Sequence, residues 1–414
     1  MPDEPTPEQH RRPLLAVLVA TFFVRLAFGI TLAVFAAYIV HHSTGLGGND
    51  VGVAGVVSAM APVGEFSTVL LSGALADRYG RWPVLLSGMA GTAVLFASVA
   101  LTRDVVALGA INLLFGVGSG AILAASLAVV GDRSEEAHRG YQMGRFDAVN
   151  LFGWTAGLGI GIGLLGYLPN ARLGLVFALG AGLLASGFLA TLLLLRGSAF
   201  YHGTRQYSFS TVLANVFRKS VLLVTLPWLV IYVLIGAALV FLGPATEGVG
   251  ISTAVLGALV AGGGALLVVT QPYYGRLADR HGRTRLMTVG ATGFVGAMVS
   301  ACFLVSEGSR LEIPTLVALG ISAVVALSYG PAALAALADL SQMMNRATTM
   351  AIYSLTISLG MVVGIAGSAE LYAHFANDGL YVFFGSVATA LVVLTVARIR
   401  ETGLRTAPST TPAR

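Results

Sequence analysis

Long apolar runs alternate with short polar breaks along nearly the whole chain. A run of about 20 apolar residues is long enough to cross the roughly 30 Å hydrocarbon core of a bilayer as an α-helix. The pattern predicts twelve such spans. Six fall near 14–40, 51–75, 83–102, 105–130, 143–166 and 172–195, and six near 221–243, 251–275, 285–305, 313–338, 347–373 and 378–398. Barrel strands alternate over only about ten residues, so the expected fold is an all-α membrane protein with twelve transmembrane helices. The longest polar interruption, 196–220, carries Arg196, Arg205, Arg218 and Lys219. It divides the chain into two six-helix bundles, 1–195 and 221–400, with a linker between them. The tail, 401–414, is rich in Thr, Pro and Arg, offers no apolar face to bury, and is expected to be disordered.

One nine-residue break occurs twice. Gly73-Ala74-Leu75-Ala76-Asp77-Arg78-Tyr79-Gly80-Arg81 is followed 202 residues later by Gly275-Arg276-Leu277-Ala278-Asp279-Arg280-His281-Gly282-Arg283, with seven of nine positions identical. Each copy is a short charged hairpin, one between spans 2 and 3 and the other between spans 8 and 9. A repeat at half the chain length argues for two equivalent halves and against a solenoid of short units.

Composition agrees with a bilayer. Hydrophobic residues make up 56% and charged residues only 10% of the chain, and the mean hydropathy is +0.84, more apolar surface than a soluble domain of this size can hide from water. Gly accounts for 52 of 414 residues, and small residues let helices approach closely in lipid. With a cytoplasmic N-terminus, 20 of the 24 Lys and Arg residues fall in cytoplasmic segments, while the outer loops hold only Arg103, Arg172 and Arg310. That split satisfies the positive-inside rule with both termini and both repeated loops in the cytoplasm, and it accounts for the +5 net charge without any nucleic acid. Met1 to His10 is acidic and Pro-rich with no basic leader, so no cleavable signal peptide is expected. The location inferred is the inner (cytoplasmic) membrane. The single Cys302 cannot form an internal disulfide.

The paired Gly-x-Leu-Ala-Asp-Arg-x-Gly-Arg loops, after spans 2 and 8 of a twelve-span chain, resemble the signature loop of the major facilitator superfamily, and the resemblance covers about residues 14 to 400. It implies two pseudo-symmetric six-helix bundles and alternating access by rocking of the halves. It also implies a central substrate cavity surrounded by spans 1, 4, 7 and 10. Span 5, with Gly153, Gly157, Gly159, Gly161 and Gly163, is similar to the glycine-rich helix of proton-driven drug exporters in that superfamily. Leu158, however, stands where the exporter pattern has Pro. The span 4 arginine of such exporters also has no counterpart, Asn112 being the strongly polar residue in the outer part of that span.

The loop residues suggest a latch. Gly73, Gly80, Gly275 and Gly282 suit a tight hairpin. Asp77 and Asp279 can accept orphan N–H groups at the N-terminus of a helix in the opposite half, where the dipole favours an anion. Span 11, near Arg346, is the expected partner of Asp77, and span 5, near Tyr141, that of Asp279. Arg81 and Arg283 need acidic partners, and Asp132 after span 4 and Asp339 after span 10 occupy equivalent places. These contacts would close the cytoplasmic side. A loop that only satisfies topology, with Arg78 and Arg280 as its positive-inside charges, is the alternative, although hairpin geometry alone does not require Asp.

Ionisable groups at membrane depth are costly and point to function. Arg25 lies about 18 Å from the cytoplasmic end of span 1, and Glu65 sits at similar depth in span 2. Two readings stand side by side. In one they form a permanent structural ion pair. In the other they line the cavity, and an anionic substrate takes Arg25 and frees Glu65 to gain a proton. Asp147, near Asn150, reads as an interfacial or inner-gate residue rather than a proton carrier, because water is close at that depth; with Asn112 it is still counted among the substrate or proton-coupling candidates. Glu370 and His374, one turn apart in span 11, form either a proton-sensitive pair or a solvated rim. His41 and His42 lack further ligands, so no metal site is expected. Trp228 and Tyr232 share a face of span 7; with Tyr329 they either contact substrate or pack between helices. Pro227, Pro244, Pro272 and Pro331 mark expected bends.

The chain has no Gly-x-x-x-x-Gly-Lys phosphate loop and no catalytic constellation, so neither an enzyme nor a cofactor is expected. The leading expectation is a monomeric secondary active transporter whose partners are protons, a small molecule and the bilayer, exporting amphipathic compounds. The alternatives are a proton-coupled symporter of an organic anion held by Arg25, and a non-transporting sensor or scaffold, which would not need two intact loops.

Overall fold

The computed structural model describes residues 7–44, 50–195, 214, 216–248, 253–306, 313–341 and 346–403. Helices dominate, and no strand occurs among the described residues. The first half comprises α1 (Pro7–His42), α2 (Asp50–Tyr79), α3 (Arg81–Leu101), α4 (Val105–Arg133), α5 (Arg139–Tyr167) and α6 (Gly174–Leu194). The second comprises α7 (Lys219–Gly248), α8 (Thr253–His281), α9 (Arg283–Ser306), α10 (Ile313–Ala326), α11 (Tyr329–Ser341) and α12 (Arg346–Gly403). Spans 1 to 9 correspond to α1 to α9. The linker expected at 196–220 lies, up to 213, outside the described residues, as do the tail from 404 onward and residues 1–6.

Span 10 is broken into α10 and α11. Pro331 has no N–H to offer the carbonyl four residues back, which belongs to Leu327. Ser328 closes a tighter turn instead, its N–H bonding Val325 O at 3.1 Å. Spans 11 and 12 both lie in α12, which doubles back on itself. A Cβ at Gly367 would stand 3.5 Å from the Phe383 ring, whereas one straight helix would hold the two about 24 Å apart.

Small residues set the helix crossings, as expected where lipid supplies no hydrophobic drive for association. On α5, Gly153, Gly157 and Gly161 lie four residues apart on one face and press against the α1 backbone between Phe22 and Ile30, while Gly29 of α1 meets Trp154 and Leu158. Gly159 and Gly163 face nothing within 4 Å. Packing against α1 therefore accounts for three of the five glycines. The second half repeats the device, with Gly360 and Gly364 of α12 set against Leu229 to Val233 of α7. Between the halves run two seams, α5 against α8 and α11, and the first part of α12 against α2 and α4.

Only two of the four loop glycines make the turn. Gly80 and Gly282 have φ of 100° and 92°, the left-handed region that side chains disfavour. Gly73 and Gly275 lie inside α2 and α8, which run on to Tyr79 and His281, so the hairpin is tighter than expected. Gly275 instead serves close approach, its Cα facing the Gly140 carbonyl across the seam.

Candidate functional site

A cavity of about 870 Å³ lies between the halves, and among the described residues the charged ones of its lining are Arg25, Glu65 and Asp147. It extends from the middle of the bundle toward the end away from the repeated loops, where Thr31, Phe35, Ser58 and Asn112 line it. Most of the remaining wall is apolar and aromatic, including Phe28, Phe96 and Phe115.

Arg25 turns toward α5, its Nε donating to Asn150 Oδ1 at 2.6 Å. Gly153 makes room for it, since a Cβ there would stand 2.9 Å from the Arg25 Cβ. Glu65 turns the other way. Its carboxylate accepts the hydroxyl of Ser354 on α12, across a seam, and its chain packs on Gly116 and Gly120 of α4. An Arg25–Glu65 ion pair is therefore not among the contacts of the described residues. Helices consecutive in sequence are not the closest here: α1 packs chiefly on α5, and α2 on α4 and α12.

Asp147 also departs from expectation. It is 3% exposed and lines the cavity rather than the interface. Two turns into α5 would ordinarily be near water, but α8 and α11 cover that part of the helix. Gly140, Gly144 and Asp147 lie along one face of α5, and Gly144 abuts the Gln271 backbone of α8. The Tyr353 hydroxyl lies beside Asp147 and stands 3.3 Å from the hydroxyl of Tyr232. Trp228 joins this group, its ring 4.6 Å from Tyr353, 6.4 Å from Tyr232 and 6.2 Å from Tyr329. The expected face of Trp228 and Tyr232 thus meets the cavity, with Tyr329 behind it, 1% exposed and backed by the buried Arg398. Asn112 ties α4 to α2 by donating to the Val57 and Ser58 carbonyls at 2.8 and 3.1 Å.

At the loop end, Asp279 accepts the N–H groups of Gly140 and Tyr141, at 2.9 and 3.0 Å. This is the expected acceptor at the start of α5. Arg283 reaches Asp339 at 2.6 Å and Asp279 at 3.4 Å. Arg139, 3% exposed, crosses from the first half to the same Asp339 at 2.5 Å. In the first loop Arg81 holds Asp77 and Asp132, each at 3.0 Å. The partner expected for Asp77 falls at 342–346, where 342–345 and the Arg346 side chain lie outside the described residues, as do the side chains of Glu370 and His374. Arg78 and Arg280 are exposed.

Tyr353, Ser354, Gln271 and Arg139 were not foreseen as site residues. A signal existed for Arg139: Asp132 and Arg139 recur 207 residues later as Asp339 and Arg346. The others are neutral groups in apolar runs, visible only once helix rotation is known.

The family model of the Major Facilitator Superfamily matches residues 17–246 and 229–413. In fold the chain is similar to the crystal structure of the human organic anion transporter MFSD10 (TETRAN), with a TM-score of 0.74 and 18% identity, covering 95% of this chain and 100% of that one. It is likewise similar to a Major Facilitator Superfamily transporter, FucP, in the outward conformation, with a TM-score of 0.73 and 16% identity over 94% of this chain and 99% of that one.

Proposed function

Since the chain belongs to the major facilitator superfamily, and is thus a secondary transporter of a small molecule across a membrane, we propose that it is a proton-coupled exporter of small amphipathic compounds that are cationic at neutral pH. The observation that carries this reading is the charge of the cavity lining: two carboxylates, Glu65 and Asp147, against one guanidinium, Arg25. An unbalanced charge in apolar surroundings is costly. One proton or one organic monocation removes the imbalance, so the two compete for the cavity, and competition is what antiport requires. The aromatic wall of Trp228 and Tyr353 suits the body of such a compound, and ring faces attract cations.

The excess of Arg and Lys at the repeated loops supports a cytoplasmic position for that end and for both termini. The division into halves at 1–195 and 221–400 fits the two seams. In this reading the contacts of Asp279, Arg283, Arg139 and Asp339 shut the cytoplasmic side, and the cavity faces outward. An organic anion is the second reading, favoured by Arg25 in the lining, with both carboxylates protonated while the anion is held.

Proteoliposomes with an imposed pH gradient test the proposal. A fluorescent lipophilic cation should move against the proton flow. An organic anion moving with the protons instead would establish the second reading, and fluxes of both probes that ignore the gradient would overturn proton coupling.

A further inference from the structure

Two acceptor oxygens, Asp147 Oδ1 and Gln271 Oε1, are buried without a hydrogen-bond partner at the seam between α5 and α8. Their residues are 3% and 2% exposed. Both side chains converge on Gly330 of α11, where a Cβ would stand 2.9 Å from Asp147 Oδ2 and 3.7 Å from Gln271 Oε1. The orientation of the Gln271 amide is fixed by chemistry. Pro331 leaves the Leu327 carbonyl without its helical donor, and Gln271 Nε2 fills that place at 3.1 Å. Turning the amide over would set oxygen against oxygen, so Oε1 is held on the side of Gly330, where Asp147 Oδ2 also lies.

Two buried acceptors without partners, on side chains that converge on one glycine, lack a donor. We propose that Asp147 and Gln271 form the site of the coupling proton: the proton binds the Asp147 carboxylate, and the resulting O–H donates to Gln271 Oε1 across the boundary between the halves. Binding ties α5 to α8, the pair of helices joined at the loop end by Asp279. Release leaves two acceptors opposed and loosens the same seam. The groups around Asp147 fit this role. The Tyr353 hydroxyl of α12 lies beside the carboxylate and stands 3.3 Å from that of Tyr232 on α7. Arg25 of α1 is engaged by Asn150. Glu65 of α2 already has a donor in Ser354, so it needs no proton to be satisfied. Gly330 leaves room for this, because a side chain there would press on the Asp147 carboxylate at Oδ2 and approach Gln271 Oε1.

The inference rests on the proton-coupled reading but has its own test, infrared difference spectra of the reconstituted protein, without substrate, as pH is changed. A protonated-carboxyl band should appear at low pH and shift when aspartate is labelled with ¹³C. It should vanish in Asp147→Asn and persist in Glu65→Gln. Gln271→Leu removes the acceptor of the neutral form and should weaken proton binding about tenfold. The ¹³C shift is read on the unmutated protein, so it stands even if a variant folds poorly. A band unmoved by the label and lost in Glu65→Gln would overturn the site while leaving proton-driven transport intact. Sodium, at fixed pH, replacing the proton signal would overturn it as well. The expected band in a protein whose fluxes ignore the pH gradient would support the site and sink the transport reading instead.

Discussion

The carboxylate of Asp279 lies 2.9 Å from the N–H of Gly140, so an anion of the second half caps a helix of the first. The bond joins a hairpin to the start of α5, where unpaired N–H groups and the positive end of the dipole coincide. If the halves rock, as the latch reading proposes, this contact breaks and re-forms with them.

Asp279→Asn keeps the shape and removes the charge. A charged acceptor at a helix N-terminus contributes about 1–2 kcal/mol in partly buried settings, so the population open at the loop end should rise roughly fivefold to thirtyfold. Spin labels at Tyr79 and His281, one on each half and both exposed, would report a longer distance, and transport would slow. Asp77→Asn should behave alike. Unchanged distances and rates in both variants would remove the latch.

Asp339 is shared by Arg139 and Arg283, at 2.5 and 2.6 Å. A double-mutant cycle of Arg139→Ala and Asp339→Ala should give a coupling of about 1–3 kcal/mol by thermal unfolding, as for buried pairs. A coupling near zero, usual for exposed pairs, would mean that Arg139 does not join the halves.

The glycines of α5 make opposite predictions two residues apart, on opposite faces of the helix. Gly157→Ala drives a methyl into the Leu26 carbonyl of α1 and should lower the melting temperature by several degrees or abolish folded protein. Gly159→Ala meets open space and should be neutral or stabilising, by up to about 1 kcal/mol of helix propensity. Equal effects would show that the glycine pattern is not set by the α1 crossing.

The architecture was legible because lipid leaves the chain few choices: length and apolarity fix the spans, and the doubled hairpin fixes the halves. The contacts of Asp279 with Tyr141, Arg81 with Asp132 and Arg283 with Asp339 were legible for a related reason, since charged groups at helix ends have few partners within reach. Inside the bundle the sequence is a poorer guide. Arg25 and Glu65 share a depth but not a neighbour, because position along an axis says nothing about which helix stands opposite. For Asp147, counting turns points to the interface or the inner gate, a measure blind to the helices that cover α5 at that level. Gln271 and Ser354 carry no charge, so nothing marked them among their apolar surroundings.

Asp147 and Ser354 occupy matching addresses in the two halves, offset by 207 residues like Asp132 and Asp339. One address holds an acid and the other an alcohol that serves the acid of the opposite half. A chain assembled from two copies of the first half would carry a titrating group at both addresses, and one assembled from two copies of the second half would carry none. Duplication repeats the helices of this molecule, while the proton site proposed above would belong to a place where the duplicates have ceased to match.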